Sequence, residues 1–398
     1  ANHRRLTRIA NAKILVSGAG IAGTALAWWL AEHGAHVTVV ERAEAPRDGG
    51  YKVDIRGAAL TVVDRMGLLD QARACRTGVR AGSVVDATGR RVASMDADTF
   101  GGRVHDDAEL LRGDLARILR DATGDRVSFR FGTEIESLDA DGTVTFAGGA
   151  RERYDLVVGA DGLRSRTRTL AFGEGGVHDL GHYIAICSVP NHLGLDREEL
   201  TYVGPGRTTL VYSTAGQTDA KAMFLFSGDE PRPQGPEAQK RFLTQAYAHE
   251  GWEVPRLLAA MGDADDFYFD TISQARLDSW SRGRVTLVGD AAYCASPASG
   301  QGTSLALVGA YVLAGELATA GLDDGPRRYE ELMRPYVAAN QKLGPANIKR
   351  MVLRSRGQVR MSMRMLGLLN RLPGKERMLA KVVEPIHRAA TAITLPTY

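Results

Sequence analysis

The sequence predicts an α/β protein in two lobes, one built on a parallel sheet and one on an antiparallel sheet. A strand, a glycine-rich turn, a helix and a second strand follow one another within residues 12–42. Two later apolar segments, at 154–168 and 284–304, lead into turns that contain glycine and aspartate. Between 175 and 280 the pattern changes to short β segments separated by Gly, Pro and Asp turns. This order of elements indicates the fold class.

The composition excludes several classes of protein. The chain has 398 residues and a formal net charge of +3, which does not indicate a nucleic-acid binder. Its cysteines, Cys75, Cys187 and Cys294, form no CxxC pair and no zinc set, so we expect reduced thiols and a cytoplasmic protein. We find no apolar run near the 18 residues of a membrane span, and no signal peptide in the first ten residues.

The unit at 12–42 has the pattern of a dinucleotide-binding motif. Its sequence is AKILVSGAGIAGTALAWWLAEHGAHVTVVER. Ile14 to Val16 predict a buried strand, Ile21 to His33 a helix that Gly34 ends, and Val37 to Val40 the next strand. The three glycines between the first strand and the helix have the spacing of a phosphate-binding turn.

Each glycine of this motif has its own physical role. Gly18 permits the tight turn, Gly20 lets a pyrophosphate approach the backbone, and Gly23 lets the helix pack closely on the strand. The phosphates would lie at the helix N-terminus, near Ala22, where free N–H groups favour anions. Glu41, 23 residues after Gly18, has the position of an acid that binds a ribose hydroxyl. This acid disfavours NADP at the site and allows FAD or NAD.

The segment YDLVVGADGLRSRTR, residues 154–168, predicts another strand that ends near Asp161. A glycine-acid turn beside the first unit could shape the same cleft. A tight turn with solvated arginines also explains this segment when it is taken alone.

The segment RVTLVGDAAYCASPASGQGTS has an acid at the tip of a strand and then a loop with almost no large side chains. Val285 to Val288 predict a parallel strand that ends at the same sheet edge as the first one. Asp290 can accept hydrogen bonds from a sugar-like hydroxyl. Gly300 and Gly302 open a helix over Thr303 to Leu317, whose N-terminal amides can face a carbonyl-rich ring. FAD has a ribityl chain and a flavin ring whereas NAD has neither, so this segment favours FAD.

The order of these motifs resembles the class A flavoprotein monooxygenases, the para-hydroxybenzoate hydroxylase-like family. Within it the sequence is similar to compact tetracycline-inactivating monooxygenases and to hydroxylases of actinobacterial polyketide pathways. The motifs GAGIAG, GADGLRSRTR and GDAAYCASPASGQGTS are spread over residues 12–310, about three quarters of the chain. The resemblance implies a discontinuous, Rossmann-like FAD-binding domain of the GR2 type, an antiparallel β-sheet substrate domain and a long C-terminal helix.

The resemblance also implies roles for single residues. Arg42 would lie beside the adenosine, Asp54 would contact the flavin, and Arg47 matches a position near NAD(P)H. Arg112 would reach FAD from a helix, although from the residues alone it could equally be a surface arginine. The complete set of candidate cofactor contacts is Gly18, Gly20, Ala22, Gly23, Glu41, Arg42, Arg47, Asp54, Arg112, Asp161, Asp290, Pro297, Gly300, Gly302 and Thr303.

Two positions depart from the family pattern. Tyr293 stands where the family often has histidine, and Val308-Gly309-Ala310 replaces a helical turn that contains an acid. Neither change removes an expected flavin contact, but both leave the position of the ring and the substrate open.

The β-rich part predicts an antiparallel sheet over which a flavin would face an organic substrate. Its segments are GHYIAICSVP, ELTYVGPGRTTLVYST, KAMFLFSG and DFYFDTISQARL. The candidate substrate contacts are Arg207, Phe224, Phe226 and Pro297, although either phenylalanine taken alone fits sheet core better.

These patterns divide the chain into three parts. We assign 1–74, 100–174 and 276–325 to the FAD-binding domain and 75–99 with 175–275 to the substrate domain. The remaining residues, 326–398, are assigned to a C-terminal helical segment with one or two long helices over 326–371. The segment KRMVLRSRGQVRMSMRMLGLLNR is basic and contains no acid. Such a stretch can rest on a membrane but more often bridges two domains.

The resemblance implies a hydroxylation. NAD(P)H would reduce FAD, O₂ would add to the reduced ring, and the flavin C4a-hydroperoxide would transfer one oxygen to an aromatic or polycyclic, polyketide-type molecule, as in antibiotic biosynthesis. No side chain stands out as a catalytic acid or base, no metal set is visible, and we expect a monomer or homodimer. One alternative is an FAD-containing enzyme for a non-redox cyclisation or rearrangement. Another is a ligand-binding protein on a relic nucleotide fold, against which the intact glycines argue.

Overall fold

The computed structural model describes residues 7–46, 50–100, 103 and 106–398. The strands within these residues are β1 (Lys13–Ser17), β2 (His36–Glu41), β3 (Lys52–Ile55), β4 (Ala81–Val85), β5 (Arg91–Asp96), β6 (Ala108–Leu111), β7 (Val127–Phe131), β8 (Ile135–Leu138), β9 (Thr143–Phe146), β10 (Arg151–Arg153), β11 (Leu156–Gly159), β12 (Val177–Val189), β13 (Glu198–Gly204), β14 (Arg207–Tyr212), β15 (Ala220–Ser227), β16 (Tyr268–Ala275), β17 (Ser281–Arg282) and β18 (Val285–Leu287).

The helices of the same residues lie between and after these strands. They are α1 (Ile21–Glu32), α2 (Ala58–Arg65), α3 (Leu69–Ala74), α4 (Ala97–Phe100), α5 (Arg112–Thr123), α6 (Arg166–Phe172), α7 (Pro236–Ala246), α8 (Val254–Gly262), α9 (Asp290–Tyr293), α10 (Gly302–Gln341), α11 (Leu343–Met351), α12 (Arg356–Arg371) and α13 (Lys375–Ala390), with short 3₁₀ turns at Gly124–Arg126 and Pro297–Ser299.

A six-stranded sheet with the order β17-β18-β11-β1-β2-β7 forms the first lobe. All its neighbouring strands are parallel except β17 and β18. Ile14, Leu15 and Val16 are fully buried, as a central parallel strand covered on both faces requires. The predicted strand that returns from the late part of the chain is β18, which pairs with β11. The carboxyl ends of β1, β11 and β18 therefore meet at one sheet edge.

Helix α10 forms much of the core beside this sheet. The helix that we predicted over 303–317 corresponds to its first part, which begins at Gly302 and ends at the non-helical Gly321, where φ is +88°. A second helical part continues to Gln341. The expectation that no apolar run is long enough to span a membrane was wrong. The helical stretch Gly302–Met351 is long and apolar enough by composition, yet 78% of its most apolar window is buried inside the protein, as in a core helix.

The second lobe is a seven-stranded sheet with the order β16-β12-β15-β14-β13-β4-β5. The predicted antiparallel arrangement is confirmed for neighbouring pairs except β13 and β4, which are parallel. One face of the sheet packs against α7 and α8, through the cluster that contains Leu243 and Leu257. The opposite face packs against α11 and borders a large cleft.

The prediction that Phe224 and Phe226 form pocket walls was wrong. Both are almost completely buried in the core between the sheet and α7, where their rings contact Tyr247. Successive side chains of a strand point to opposite faces, so their neighbours Met223 and Leu225 face the cleft instead. The pattern of the strand indicated the alternation but not which face was covered by helices.

The C-terminal segment contains more helices than we predicted. The chain runs through α11, an irregular stretch at 352–355, and then α12 and α13. Helix α13 packs on the first lobe, where Asn340 Nδ2 donates a hydrogen bond of 3.1 Å to the carbonyl oxygen of Ala389. The basic stretch at 349–371 is therefore divided between α11 and α12.

Candidate active site

A cleft of about 840 Å³ lies between the carboxyl edge of the six-stranded sheet and the open face of the seven-stranded sheet. This volume is in the upper part of the range of roughly 300–1,000 Å³ for cofactor and ligand sites. Arg47 lies outside the described residues, and Gly23 lies behind the cleft wall. The other candidate cofactor contacts all line this cleft: Gly18, Gly20, Ala22, Glu41, Arg42, Asp54, Arg112, Asp161, Asp290, Pro297, Gly300, Gly302 and Thr303.

The glycine turn between β1 and α1 is held by close backbone contacts. Gly18 has φ +115°, and a Cβ there would lie 2.2 Å from the carbonyl oxygen of Ala160 on the neighbouring strand end. A Cβ on Gly23 would lie 1.9 Å from the carbonyl oxygen of Gly18. These distances leave room for glycine alone, which is why the turn brings the N-terminus of α1 against the sheet edge.

Gly20 has a different environment, because it faces the cleft. A Cβ there would meet only the end of the Arg112 side chain among the described residues, at 3.2 Å from Nη2. No described side chain caps the first turn of α1, and that turn contains no acid. The N–H groups of this turn and the guanidinium of Arg112 therefore form a cationic pocket suited to a pyrophosphate.

Glu41 and Arg112 are both positioned by backbone hydrogen bonds. Glu41 ends β2, and its carboxylate accepts hydrogen bonds from the N–H groups of Ala19 at 3.3 Å and Ala43 at 2.7 Å. These bonds hold the carboxylate in the cleft wall beside the glycine turn. Arg112 begins α5, and its N–H donates to the carbonyl oxygen of Tyr51 at 2.9 Å. Its guanidinium has no hydrogen-bond acceptor among the described residues.

Asp161 has a role that the sequence did not indicate. Its carboxylate accepts hydrogen bonds from the hydroxyl of Ser165 and from both the N–H and the hydroxyl of Thr167, the latter two at 3.0 Å. Both oxygens thus stabilise the turn before α6. The aspartate lines the cleft and shapes its wall by holding this turn.

Asp54 belongs to a buried group of charges. Its carboxylate pairs with Arg56 at 3.0 Å and with Arg103 at 3.2 Å. Burial alone would raise the pKa of Asp54, but these guanidinium groups and Lys52 outweigh it and lower that pKa below its usual value. Asp54 is therefore ionised and rigidly held where it borders the cleft.

The same group of charges connects the two lobes. Arg103 contacts Glu109 on β6 at 2.6 Å, and Lys52 on β3 pairs with Glu199 on β13 at 3.0 Å. Glu199 and Glu109 together raise the pKa of Lys52 against the effect of its burial. Each charge at the junction between the small β3-β6 sheet and the substrate lobe has a close partner, so removing one partner would leave the other insufficiently compensated.

The segment after β18 forms the other end of the cleft. Asp290 is half-buried there, and removal from water raises the pKa of its carboxyl group. Gly300 adopts the left-handed conformation, with φ +69°, immediately before α10. Gly302 begins that helix, and no described side chain caps it, so its first N–H groups remain available to an acceptor in the cleft.

The substrate side of the cleft has an apolar floor. Ile184 and Ile186 on β12 pair in register with Leu225 and Met223 on β15, so that all four side chains lie on one face. Met351 of α11 also borders this region. The floor is thus built from two neighbouring strands, and α11 packs at its side.

Polar groups stand at the edge of this floor. Arg164 Nη2 contacts Asp270 Oδ1 at 2.7 Å and the hydroxyl of Thr271 at 2.9 Å. Arg232 lies 3.7 Å from the same carboxylate oxygen. Arg164, Arg232 and Thr271 line the cleft directly. Asp270 lies behind them and holds the two guanidinium groups in place.

Two tyrosines also border the cleft, and sequence reasoning missed them. Tyr51 follows a glycine, and Tyr268 begins β16; their ring centroids are 6.2 Å apart. Removal from water is the main cause that raises the pKa of the Tyr51 phenol. The alternation of side chains between the two sheet faces along β12 and β15 could have predicted the floor. No local sequence pattern indicated these tyrosines.

Arg207 does not reach the cleft, contrary to the prediction that it contacts substrate. Its Nε donates to the carbonyl oxygen of Ala246, and its Nη1 lies 3.6 Å from Glu250. These groups are on the side of the sheet that α7 covers. Pro297, the remaining predicted substrate contact, does line the cleft.

The walls of the cleft fit FAD in each of its parts. The α1 turn and Arg112 would hold the pyrophosphate, and Glu41 would accept hydrogen bonds from the adenosine ribose. Asp290 stands where ribityl hydroxyls would lie, and the glycines before α10 leave space for the ring. The environment of Gly20 is the strongest evidence. Its backbone faces the cleft beside the guanidinium of Arg112, which has no ion-pair partner among the described residues.

Comparisons with known proteins agree with this geometry. A family profile described as an FAD binding domain matches residues 11–340. A flavin-dependent monooxygenase from an unidentified prokaryote is 45% identical over 340 residues, covering 83% of this chain and 88% of that relative. An uncharacterised protein from Mycobacterium tuberculosis is 46% identical over 346 residues, covering 84% and 93%.

Solved structures give the same result. Tetracycline destructase Tet(55) superposes with a TM-score of 0.84 at 39% identity, covering 98% of this chain and 99% of its own. Tet(51) gives 0.85 at 38% identity, covering 98% and 100%. HpxO in complex with FAD and uric acid, at 21% identity and a TM-score of 0.76, shares the fold. The chain therefore belongs to this FAD-binding family and is an FAD-dependent monooxygenase.

Proposed function

We propose that this monooxygenase uses NAD(P)H and O₂ to hydroxylate an aromatic or polycyclic, polyketide-type molecule. The observation that supports this most directly is the composition of the large cleft. It joins the cofactor-binding turns at one end to the apolar floor of Ile184, Ile186, Met223 and Leu225 at the other. When bound, FAD would supply the redox chemistry with NAD(P)H and O₂.

The residues of the substrate side would position the substrate and exclude water. A flat ring system would lie on the four aliphatic side chains, which also keep the reaction site dry. Arg164, Arg232 and Thr271 would donate hydrogen bonds to phenol, enol or keto oxygens at its edge. Because Asp270 fixes Arg164 at 2.7 Å, that guanidinium is oriented before the substrate binds.

The similarity to tetracycline destructases supports a polycyclic substrate. The structures of two tetracycline destructases, Tet(55) and Tet(51), share almost the whole length of this chain. A tetracycline therefore belongs in the first substrate panel, together with simpler phenols and aromatic polyketides. The sequence contains one dinucleotide-binding turn of the GxGxxG type, so NAD(P)H would bind transiently at the cleft rather than in a domain of its own.

The test measures turnover of the purified holoenzyme. NADPH or NADH oxidation and O₂ consumption are followed with each compound of the panel, and the products are analysed by mass spectrometry under ¹⁸O₂. We expect one compound class to accelerate cofactor oxidation and to gain one labelled oxygen atom. Equal rates with and without every compound, and no labelled product, would contradict the proposal.

The alternative is a non-redox cyclisation or rearrangement on the same fold. It predicts a product with the mass of its substrate, formed without consumption of NAD(P)H. The same mass measurement therefore distinguishes the two reactions. A cytoplasmic location and a monomeric or dimeric state remain part of the proposal, and size-exclusion chromatography with light scattering tests the latter.

A further inference from the structure

Helix α12 has an exposed row of large apolar side chains. Met361, Met365 and Leu368 are 64, 64 and 65% exposed, and Leu372, just past the helix end, is 50% exposed. Their spacing of four, three and four residues places them along one helix face. Few other large apolar side chains of the described residues are exposed to this degree.

The opposite face of α12 is attached to the protein. Gly367 packs near Val92 of β5, where an added Cβ would lie 3.8 Å from Cγ1 of that valine. Asn370 Oδ1 accepts hydrogen bonds from the N–H of Ser94 at 3.3 Å and from Lys375 at 3.1 Å. These contacts fix the rotation of the helix, so the apolar row is directed away from the molecule.

A row of arginines runs beside the apolar row. Arg360, Arg364 and Arg371 are exposed, and none of them has an ion-pair partner within the described parts of the chain. The segment 349–388 contains eleven lysines and arginines and two acids, whereas the whole chain has a formal charge of only +3. Positive charge is therefore concentrated on the surface that also exposes apolar side chains.

We propose that this face of α12 binds the surface of a membrane that contains anionic lipids. A helix with arginines beside an exposed apolar row is suited to the interface, because its apolar side chains enter the acyl boundary while its cations meet the headgroups. A second copy of the chain fits this face less well. It would present the same arginines, and the two sets of charges would repel each other. The domain-bridging interpretation of this segment does not apply to the outer face, which contacts no domain of the described chain.

The test uses vesicle co-sedimentation of the FAD-loaded protein. One set of vesicles contains phosphatidylcholine alone, and the other contains about 30% phosphatidylglycerol, which gives an anionic surface. We expect binding to the second set only, and weaker binding as salt is raised from about 0.1 to about 0.5 M because surface charges are screened. Equal binding to both sets, or binding to neither, would overturn the proposal.

Two variants connect the binding to α12. The double substitution Arg360→Glu/Arg364→Glu removes two cations, and about a fivefold loss per basic residue predicts affinity at least about 25-fold lower. The double substitution Met361→Gln/Met365→Gln removes apolar contacts and is expected to weaken binding without changing the charge. A matched control, Arg90→Glu/Arg151→Glu, changes two exposed arginines elsewhere on the surface and should keep at least half of the binding.

The controls also decide between the membrane and a partner protein. Each variant must retain FAD, which reports a folded protein. A dimer that the Met361→Gln/Met365→Gln variant dissociates, together with no vesicle binding, would assign the face to a second copy. Vesicle binding that the control weakens as much as the α12 variant would assign it to general surface charge and refute the proposal.

Discussion

Two glycines at the start of α1 give opposite predictions for the same added methyl group. In Gly23→Ala the new Cβ would lie 1.9 Å from the carbonyl oxygen of Gly18, and neither atom can move without shifting a core element. Overpacking of this kind costs about 1–3 kcal/mol. Alanine in a helix recovers at most about 1 kcal/mol relative to glycine. Because the contact is so close, we take the upper end of this cost, about 3 kcal/mol, and after subtracting that gain we expect the free energy of unfolding of the apoprotein to fall by about 2 kcal/mol.

In Gly20→Ala the backbone is not strained, because φ is −78° and alanine adopts it freely. The new Cβ would meet only a movable guanidinium, so apoprotein stability should change by no more than about 0.5 kcal/mol. The methyl group would instead stand where the pyrophosphate must approach the backbone. Loss of one charge-assisted hydrogen bond, worth about 1.5–3 kcal/mol, would weaken FAD binding by about 10- to 150-fold.

Urea denaturation of both apoproteins and titration with FAD, followed by flavin fluorescence, test the pair. The two variants should separate, one losing stability and the other losing FAD affinity. A Gly20→Ala protein that binds FAD as tightly as the wild type would show that the phosphates do not lie at this turn. A Gly23→Ala protein with unchanged stability would show that α1 can move away from the sheet.

Four further substitutions test the charges and the floor of the cleft. Asp290→Asn should stabilise the apoprotein at neutral pH and weaken FAD binding. Because the pKa of Asp290 is raised in the folded protein, its ionised carboxyl group costs stability at any pH above its unfolded pKa. In urea denaturation, the stability gained by the substitution should therefore vanish below about pH 4. Arg103→Met should lower the free energy of unfolding by about 2–3 kcal/mol at pH 7, because Asp54 and Glu109 each lose a partner, although Arg56 and Lys52 still compensate their charges. The pKa of Asp54 is lowered in the folded protein, so the stability that its ionised form contributes is present above its unfolded pKa and is lost as the pH falls towards the folded pKa. In urea denaturation, the wild type and the Arg103→Met variant should therefore differ less in free energy of unfolding near pH 3.5 than at pH 7. An equal difference at both pH values would be evidence against this pairing. Met223→Trp should raise KM while the protein retains FAD, because Met223 lines the cleft. Phe224→Leu should lower the free energy of unfolding by about 1 kcal/mol and leave KM unchanged, because Phe224 lies in the core. The reverse result would mean that the two faces of β15 have been assigned wrongly.

The nucleotide-binding half of the fold was largely predictable because its signals are local. A buried strand, a glycine turn and a helix must follow one another within a few residues, and the motif at Gly18 therefore predicted β1, α1 and β2 nearly to their ends. The strand at 285–287 was found in the same way, from an apolar run that ends at Asp290. The helix predicted over 303–317 agrees closely with the first part of α10, because the non-helical conformation of Gly321 separates that part from the helical part that follows.

The substrate half was less predictable because its site is assembled across strands. The sequence does not indicate which face of the sheet Arg207 lies on. Its contact with α7 places it on the face away from the cleft. Asp161 has the sequence context of a cofactor contact, yet its oxygens are used by the turn beside it. Arg164 contacts Asp270, which is 106 positions away, and Tyr268 contacts the still more distant Tyr51. No local pattern records such contacts.

The alternation along β12 and β15 also bears on how the enzyme could acquire new substrates. Odd positions such as Met223 and Leu225 touch the cleft, while Phe224 and Phe226 hold the sheet to its helices. A substitution at Met223 can therefore reshape the binding surface with little effect on the packing between sheet and helices, whereas Leu225 also belongs to the buried cluster that includes α11. An insertion or deletion of one residue would exchange the two sets and damage both. Changes in specificity on this strand are thus open to point substitution but closed to changes in length.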